Sequence, residues 1–166
     1  MPCHELNHSA VLSPAELLER LRAVRARSQC IVFTNGCFDL IHPGHVDLLD
    51  RAKKQGDILV LGLNSDSSVR RQNKGADRPI NPFAVRAFVL AHLSSVDYIT
   101  EFHEDTPLQL IRAIRPHVLV KGGDWSPDRI VGRDIVEADG GRVLALPLLS
   151  EYSTTRLLAK IRSAAG

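Results

Sequence analysis

Cysteine is scarce in this sequence, which excludes two classes of small scaffold. The chain has three cysteines, Cys3, Cys30 and Cys37. They are odd in number and have no CxxC spacing, so they build neither a disulfide framework nor a zinc knuckle. We therefore expect a protein of a reducing compartment, with no metal ligands of its own.

Long hydrophobic runs are also absent. The apolar runs at 58–63 and 144–149 are far shorter than the roughly 20 residues that a bilayer span requires. The polar start, 1–9, lacks the apolar region of a signal peptide. These absences predict a soluble, cytoplasmic protein with no membrane partner.

Charge of either sign is not in excess. Lys and Arg together number 21 and Asp and Glu 19, a net charge of +2, and the basic residues are dispersed along the chain. Such a surface attracts a nucleic-acid backbone weakly, so no nucleic-acid partner is expected. The length of 166 residues suits one globular domain, which we place at 13–166 after a polar tail at 1–12.

Short β-branched runs alternate with segments of helical periodicity along the chain. Two helix starts carry a cap followed by proline, at Ser13-Pro14 and Asn81-Pro82, and Thr106-Pro107 repeats the device. Helices are predicted at 14–27, around 46–52, and at 83–91, 108–114 and 127–138, with a last one from Ser153; strands are predicted at 30–34, 58–63, 96–102, 117–120 and 143–146.

This alternation predicts an α/β fold, a doubly wound, Rossmann-like domain with about five parallel strands. Right-handed crossovers would cover both faces of the sheet with helices. The expected strand order is 3-2-1-4-5, and ligands of such sheets bind beyond the carboxyl ends of the strands, where the order reverses. Polar and glycine-rich segments of this chain collect at those ends.

The segment 35–45 follows the first predicted strand and carries two histidines, His42 and His45, at the start of a helix. Glycines, among them Gly36 and Gly44, let a ligand approach the backbone. Free amides and the positive helix end attract anions, and two imidazoles add hydrogen-bond donors. The segment therefore suits a phosphate chain, although an isolated HxxH is as often a turn histidine beside a helix-face histidine.

The segment 70–78 contains four basic residues besides glycine and lacks apolar periodicity. We expect a mobile basic loop there that orders over an anion. Arg71 and Lys74 would cover the phosphate site.

The string at 36–45 resembles the GxFDxxHxGH signature of the nucleotidyltransferase superfamily of glycerol-phosphate and choline-phosphate cytidylyltransferases. Over about 15–165, further segments resemble the D-glycero-β-D-manno-heptose 1-phosphate adenylyltransferases, which make ADP-heptose for the lipopolysaccharide inner core; these segments are 64–71, 78–82, 96–98, 104–107, 118–124 and 152–155.

The resemblance implies transfer of AMP from ATP to heptose 1-phosphate, with release of pyrophosphate. It implies His42, His45 and Lys121 as the catalytic residues, and Mg2+ held mainly through ATP, because the sequence shows no dedicated carboxylate cluster. The implied nucleotide-binding residues are Asn35, Gly36, Cys37, Phe38, Asp39, Gly44, Asn64, Asp66, Ser153, Thr154 and Thr155, and the implied substrate-binding residues are Arg78, Arg86, Gly122, Asp124 and Trp125.

The resemblance also carries expectations about partners. In many relatives this domain follows a sugar-kinase domain, and the length of this chain predicts a stand-alone form served by a separate heptose kinase. A homo-oligomer is expected, with a dimer favoured. One departure is Val85, where relatives commonly place an acidic residue before the arginine matching Arg86, which leaves the partner of that arginine open.

Several residues keep a second interpretation. Asp39 caps its loop or orients a histidine, and Ser153 is an ordinary helix cap or a phosphate ligand. Asp124 and Trp125 are a turn cap and a packing ring, or substrate ligands. Two further functions also stay open, a cytidylyltransferase acting on glycerol phosphate or a related alcohol phosphate and a catalytically silent nucleotide-binding regulator.

Overall fold

The computed structural model describes residues 6–72, 78–123 and 125–164. One parallel sheet organises them. Its strands are β1 (Ile31–Gly36), β2 (Ile58–Asn64), β3 (Tyr98–Phe102), β4 (Val118–Gly122) and β5 (Arg142–Leu146). They lie in the order β3-β2-β1-β4-β5, and each pair is parallel. The predicted doubly wound fold and strand order are confirmed.

Helices cover both faces of the sheet. They are α1 (Pro14–Ala26), α2 (Pro43–Lys53), α3 (Asp66–Arg71), α4 (Phe83–Ala91), α5 (Leu108–Ile114), α6 (Arg133–Ala138) and α7 (Thr154–Ala164), with a 3-10 turn at Pro127–Arg129. Alternate side chains of each strand enter opposite cores. Val32 and Val120 pack with α2 and α4, whereas Phe33 and Leu119 pack with α1, α5 and α6.

The first helix begins where the sequence predicts. The Ser13 hydroxyl accepts a hydrogen bond from the Glu16 amide at 3.3 Å, and the Glu16 carboxylate accepts one from the Ser13 amide at 2.8 Å. This reciprocal capping satisfies two amides that the helix leaves unpaired. Just before it, Leu12 donates to the Ile99 carbonyl at 2.9 Å, so the end of the polar segment joins the edge of the sheet beside β3.

Two other predicted caps are wrong. Pro82 and Pro107, not Asn81 and Thr106, are the residues that precede the first turns of α4 and α5, and neither helix has a side-chain cap. The Asn81 side chain instead donates to the Asp39 carbonyl at 2.9 Å. The Asn81 side chain, which the local pattern assigns to the cap of α4, is thus bound to a residue distant in sequence.

The predicted helix at 127–138 is two pieces, the 3-10 turn and α6. Gly132 separates them with a φ of 86°, a left-handed conformation that ends helical backbone and that glycine adopts without strain.

The predicted loop at 70–78 is wrong at its first residues, because Arg70 and Arg71 belong to α3. Ser65 caps this helix, because its hydroxyl accepts a hydrogen bond from the Ser68 amide at 3.2 Å. With six residues, α3 is too short to be recognised from apolar periodicity. Residues 73–77, including Lys74, lie outside the described residues, so the order of that part of the loop stays a prediction. Among the described residues no helix is long and apolar enough to cross a membrane.

Candidate active site

His42 and His45 form a stacked pair where the chain passes from β1 into α2. Their ring centroids lie 3.7 Å apart with an interplanar angle of 18°. The centroid of the Phe38 ring lies 5.0 Å from the centroid of the His45 ring. Since His42 occupies the N-cap position with extended backbone and its side chain caps nothing, the imidazole is directed by packing rather than by a helix-end hydrogen bond.

The environment of His42 favours the neutral imidazole. Its Nδ1 is buried with no hydrogen-bond partner among the described residues. Burial lowers the pKa of the ring below its ordinary value, because desolvation disfavours the charged form. A neutral ring can bind one oxygen of a phosphate through its N–H and gain a proton as negative charge arrives.

Gly44 is needed for this arrangement. A Cβ built at this position would lie 3.2 Å from both Cε1 and Nδ1 of His42, closer than side chains normally approach. A side chain at residue 44 would therefore push the His42 ring away by a few tenths of an ångström.

Lys121 reaches the same edge of the sheet from the neighbouring strand. It lies on β4, which pairs with β1, and its Nζ donates to Asn35 Oδ1 at 3.3 Å. One pocket beyond these two strands is lined by Gly36, Phe38, His45, Lys121 and Gly122, among others. The structure thus places His45 and Lys121, which are 76 positions apart in the printed sequence, in the lining of one pocket.

The start of α7 faces His42 from the other side. Ser153 Oγ accepts a hydrogen bond from the Arg156 amide at 3.2 Å, so the ordinary cap interpretation of Ser153 is borne out by geometry. Ser153 also lines a cavity shared with His42, Tyr152 and Arg156. Phosphate binding by Ser153, Thr154 and Thr155 stays a prediction.

Asp39 caps a loop rather than orienting a histidine. Its carboxylate is 2% exposed and accepts hydrogen bonds from Arg78 Nε at 2.5 Å and from the amides of Ile80 and Asn81, each at 2.8 Å. The Arg78 side chain is itself 9% exposed. The predicted nucleotide ligand Asp39 and the predicted substrate ligand Arg78 are thus bound to each other in this structure.

The Arg86 side chain points into the protein. Its acidic partner is Asp66, since residue 85, where relatives commonly have an acidic residue, is valine here. The guanidinium is fully buried and donates to the carbonyls of Cys37 at 2.7 Å and Asn64 at 2.9 Å. It also pairs with Asp66 Oδ1 at 2.7 Å. Its Nε donates to the Asn81 carbonyl at 3.0 Å, so in the described conformation Arg86 binds the loops around the site and not the solvent space in front of them.

The remaining predicted residues surround these groups. Asn64 Nδ2 donates to Ser68 Oγ at 2.9 Å, and its Oδ1 lies 3.8 Å from Cys37 Sγ. Trp125 is half exposed and donates from Nε1 to the Gly122 carbonyl at 3.2 Å. Asp124 lies outside the described residues.

Comparison with known proteins places this geometry in a family. The family model described as cytidylyltransferase-like matches residues 33–157, which include most of β1, all of β2 to β5 and both histidines. The chain belongs to the cytidylyltransferase-like family. Nucleotidyl transfer is therefore its class of chemistry, and the resemblance seen in the sequence is confirmed at the level of the family.

Individual relatives give finer likenesses. The bifunctional protein HldE of Halorhodospira halophila is 53% identical over 155 residues, which are 93% of this chain and 32% of that protein. A lipopolysaccharide core biosynthesis protein from Thermoplasma volcanium superposes with a TM-score of 0.59 at 26% identity, over 75% of this chain and 99% of that one. The pantoate-beta-alanine ligase of Francisella tularensis, at 14% identity and a TM-score of 0.60 over 89% of this chain and 75% of that one, shares the fold.

The cytidylyltransferase-like chain spans about a third of the length of the curated relatives it matches. The stand-alone form, the separate kinase and the oligomeric state stay predictions.

The site residues expected from the sequence did not include four side chains that line the cavities beside His42 and Lys121. Tyr152 and Arg156 stand beside His42, and Gln72 and Asp105 line a second cleft next to Lys121. None belongs to a glycine-rich or histidine motif. Asp105 and Tyr152 lie within the segments 104–107 and 152–155 that carry the resemblance, whereas for Gln72 and Arg156 the available signal was their position near the end of an element at the carboxyl edge of the sheet.

Proposed function

We propose that this chain transfers AMP from ATP to D-glycero-β-D-manno-heptose 1-phosphate, giving ADP-heptose and pyrophosphate. The observation that carries the proposal is the stacked pair of His42 and His45 beside Lys121, on a chain of the cytidylyltransferase-like family. The choice of heptose phosphate is supported by the string resemblance at 64–71 and 118–124. It is supported also by the likeness to HldE and to a lipopolysaccharide core biosynthesis protein.

The reaction joins two anions, so the protein must position them and reduce their repulsion. A phosphate oxygen of the sugar phosphate attacks the α-phosphorus of ATP in line, the new P–O bond forms, and the bond to pyrophosphate breaks with both electrons going to the leaving group. The protein forms no covalent bond to substrate in this scheme.

His42 and His45 donate hydrogen bonds to the α-phosphoryl oxygens, where charge increases in the transition state. The low pKa of His42 keeps the ring neutral until the triphosphate enters, and the anion then favours its protonated form. Lys121 supplies a compact positive charge from the neighbouring strand and holds the incoming phosphate in attack geometry.

Magnesium enters this proposal with the nucleotide. Among the described residues no three His, Cys, Asp or Glu side chains are grouped so that they could hold a metal ion, so the protein side chains in view do not form a dedicated site. Bound to ATP, Mg2+ neutralises charge on the phosphates, and we assign it no protein ligand.

An assay of pyrophosphate release tests the proposal. The purified chain is given each of ATP, CTP, GTP and UTP with heptose 1-phosphate, mannose 1-phosphate or glycerol 3-phosphate. We expect release with ATP and heptose 1-phosphate at a kcat/KM well above that of every other pair. A preference for CTP with glycerol 3-phosphate would overturn the proposed nucleotide and the proposed acceptor. Tight ATP binding without pyrophosphate release from any pair would favour a nucleotide-binding regulator.

A matched variant connects the assay to the site. Lys121→Ala should lower kcat/KM for the sugar phosphate by roughly 10- to 1000-fold, since a charged contact in a partly dry site contributes about 1.5 to 3 kcal/mol and misplacement adds to the loss. Lys54→Ala, at an exposed position after α2, is the control for removal of one lysine. Equal kcat/KM for Lys121→Ala and wild type would remove Lys121 from the mechanism.

A further inference from the structure

A cleft lined by both polar and apolar side chains lies beside the histidine pair on the other face of the sheet. Phe33 and Leu119 pack with α1, α5 and α6, and residues two positions further along a strand share that face. Asn35 and Lys121 therefore direct their side chains to the α5 side, whereas α2 carries the histidines on the opposite side. We name this the acceptor cleft; its lining includes Gln72, Asp105, Thr106, Lys121, Trp125 and Arg129.

The Trp125 ring lines the acceptor cleft and is fixed by contacts with the backbone at Gly122 and Gly123. Its Nε1 donates to the Gly122 carbonyl at 3.2 Å. Gly123 has a φ of 115°, and a Cβ there would lie 3.1 Å from Nε1, so the ring packs against a backbone that only glycine accommodates. The ring is 46% exposed, and Lys121 Nζ lies 5.9 Å from its centroid. The result is a positioned apolar plane beside a cation.

The opposite wall carries hydrogen-bonding groups whose orientation is already set. Asp105 Oδ1 accepts from Arg71 Nε at 2.7 Å, and the same guanidinium donates to the His103 carbonyl. Gln72 Oε1 accepts from the Cys37 thiol at 3.2 Å, which directs its amide N–H groups elsewhere. Asp105 Oδ2, the Gln72 amide and the Thr106 hydroxyl thus offer both acceptors and donors to the cleft.

This combination matches one ligand chemistry. A sugar presents C–H groups that pack on an aromatic face and hydroxyls that each donate and accept, and its phosphate requires a cation. The cleft supplies an aromatic plane, mixed polar groups, and the cations Lys121 and Arg129. The carboxylate of Asp105 does not repel an anion as a bare charge would, because Arg71 pairs with it.

We propose that the acceptor cleft binds the sugar phosphate, with Gln72, Asp105 and Thr106 reading its hydroxyls over the Trp125 ring and Lys121 and Arg129 meeting its phosphate. Arg71 is a positioning residue that orients Asp105. The inference rests on the proposed function, and it goes further by assigning the selection of the acceptor to named side chains. The sugar would lie on the α5 side of the sheet and the nucleotide phosphates on the α2 side, so that they meet above β1 and β4.

Trp125 is the single tryptophan of the chain, so its fluorescence reports occupancy of the acceptor cleft without any turnover. The experiment titrates the full chain, in the presence of α,β-methylene ATP and Mg2+, with heptose 1-phosphate, mannose 1-phosphate, glycerol 3-phosphate or inorganic phosphate. We expect a saturable change in emission with heptose 1-phosphate, a weaker one with mannose 1-phosphate, and none with inorganic phosphate at the same concentrations.

Two variants test the assigned side chains, and both positions are exposed, so both variants should fold. Asp105→Asn and Thr106→Val should each raise KM for heptose 1-phosphate by about 10-fold or more, because a lost hydrogen bond to a bound polar group has that magnitude. KM for ATP should change by less than about twofold, and the preference for heptose 1-phosphate over mannose 1-phosphate should shrink. Asp139→Asn is the matched control, since Asp139 is also paired with an arginine, Arg115, at the far edge of the sheet.

The outcomes separate this inference from the proposed function. Turnover of heptose 1-phosphate with unchanged Trp125 emission, or with wild-type KM values in both variants, overturns the acceptor cleft and leaves the function standing. If heptose 1-phosphate is not a substrate but glycerol 3-phosphate changes the emission of wild type and not of Asp105→Asn, the cleft stands and the sugar assignment falls. No change in emission with any of the organic phosphates overturns the cleft.

Discussion

The stacked imidazoles of His42 and His45 show how a single residue position controls the chemistry of its neighbours. The rings lie 3.7 Å apart, and a Cβ at position 44 would lie 3.2 Å from two atoms of the His42 ring. The position of the His42 ring therefore depends both on its stacking with His45 and on the absence of a side chain at residue 44. Three predictions follow from individual residues here.

The first concerns the imidazoles themselves. His42→Ala and His45→Ala should each lower kcat by on the order of 100-fold or more, because each removes a preorganised donor to transition-state charge. Steady-state pyrophosphate release measures the effect, and circular dichroism checks the fold. His103→Ala, at an exposed position after β3, is the control. Near-normal turnover in both variants would contradict the phosphate site.

The second concerns Gly44. Gly44→Ala should displace the His42 ring by a few tenths of an ångström and lower kcat by about 10-fold, since small misplacements of a positioning group are costly. The thermal midpoint should hold or rise, because alanine is the better helix former. Asp50→Ala, exposed on the same helix, controls for a new alanine in α2. An unchanged kcat would show that the ring position is not critical.

The third follows from the lowered pKa of His42. The unfolded chain binds a proton at this residue more readily than the folded protein, so the stability due to neutral His42 is complete above the ordinary histidine pKa of about 6.5 and is lost as the pH falls through the lowered, folded value. The free energy of unfolding in urea should thus fall more steeply between about pH 7 and pH 5 in wild type than in His42→Asn. Parallel curves would contradict burial as the cause.

At the scale of elements, the loops around the site are joined by buried arginines and carboxylates. Arg86 on α4 connects the loop after β1 to the end of β2, and Asp39 connects the same loop to the segment that precedes α4. Short loops between parallel strands carry few hydrogen bonds of their own, so these side chains hold their carbonyls and amides in place. The site depends on that framework although neither group need touch a substrate.

Removal of Arg86 should therefore destabilise the whole protein. Arg86→Ala should lower the free energy of unfolding by roughly 3 kcal/mol or more, because it leaves several buried carbonyls unsatisfied, at about 1–3 kcal/mol for each. Arg86→Lys should recover little, since an ammonium group cannot reproduce the planar fork of a guanidinium. Urea denaturation at pH 8 measures both, with the exposed Arg112→Ala as the control. A loss within about 0.5 kcal/mol, the range of ordinary surface substitutions, would show that the hydrogen bonds of Arg86 are not needed for stability.

At the scale of the whole molecule, the proposed function puts the two reactants on opposite sides of a shared edge of the sheet. The parallel order puts β1 between β2 and β4, so the loop after β1 meets α2 on one face and Lys121 of β4 on the other. Both reactants are anions, and the histidines and lysine supply little charge against a triphosphate and a sugar phosphate together. Under the proposed function, a divalent cation bound to ATP would supply the rest of the positive charge.

Activity should accordingly vanish with a chelator. With excess EDTA, pyrophosphate release should fall to the uncatalysed rate, and added Mg2+ should restore it, because uncompensated triphosphate charge repels the incoming phosphate. Circular dichroism should be unchanged by EDTA, since the described residues contain no cluster that binds a metal for stability. Full activity in EDTA would contradict nucleotide-bound Mg2+.

The sequence by itself determined the architecture and the proximity of the two histidines. Alternating strand and helix patterns were enough for the order of the five strands, because right-handed crossovers and buried apolar strands leave few arrangements. The segment 36–45 was enough to pair His42 with His45, since both lie within one turn of the same helix start and their proximity is local.

Only the tertiary structure decided which distant groups meet. That Arg86 faces inward to Asp66, that Asp39 binds Arg78 rather than a histidine, and that Asp105 stands opposite Trp125 depend on contacts between loops. Each loop has polar groups with several possible partners, and a local pattern contains no distance between them. Burial selects among those partners, because a charged or polar group removed from water must find whichever complement the packed sheet and helices bring within reach.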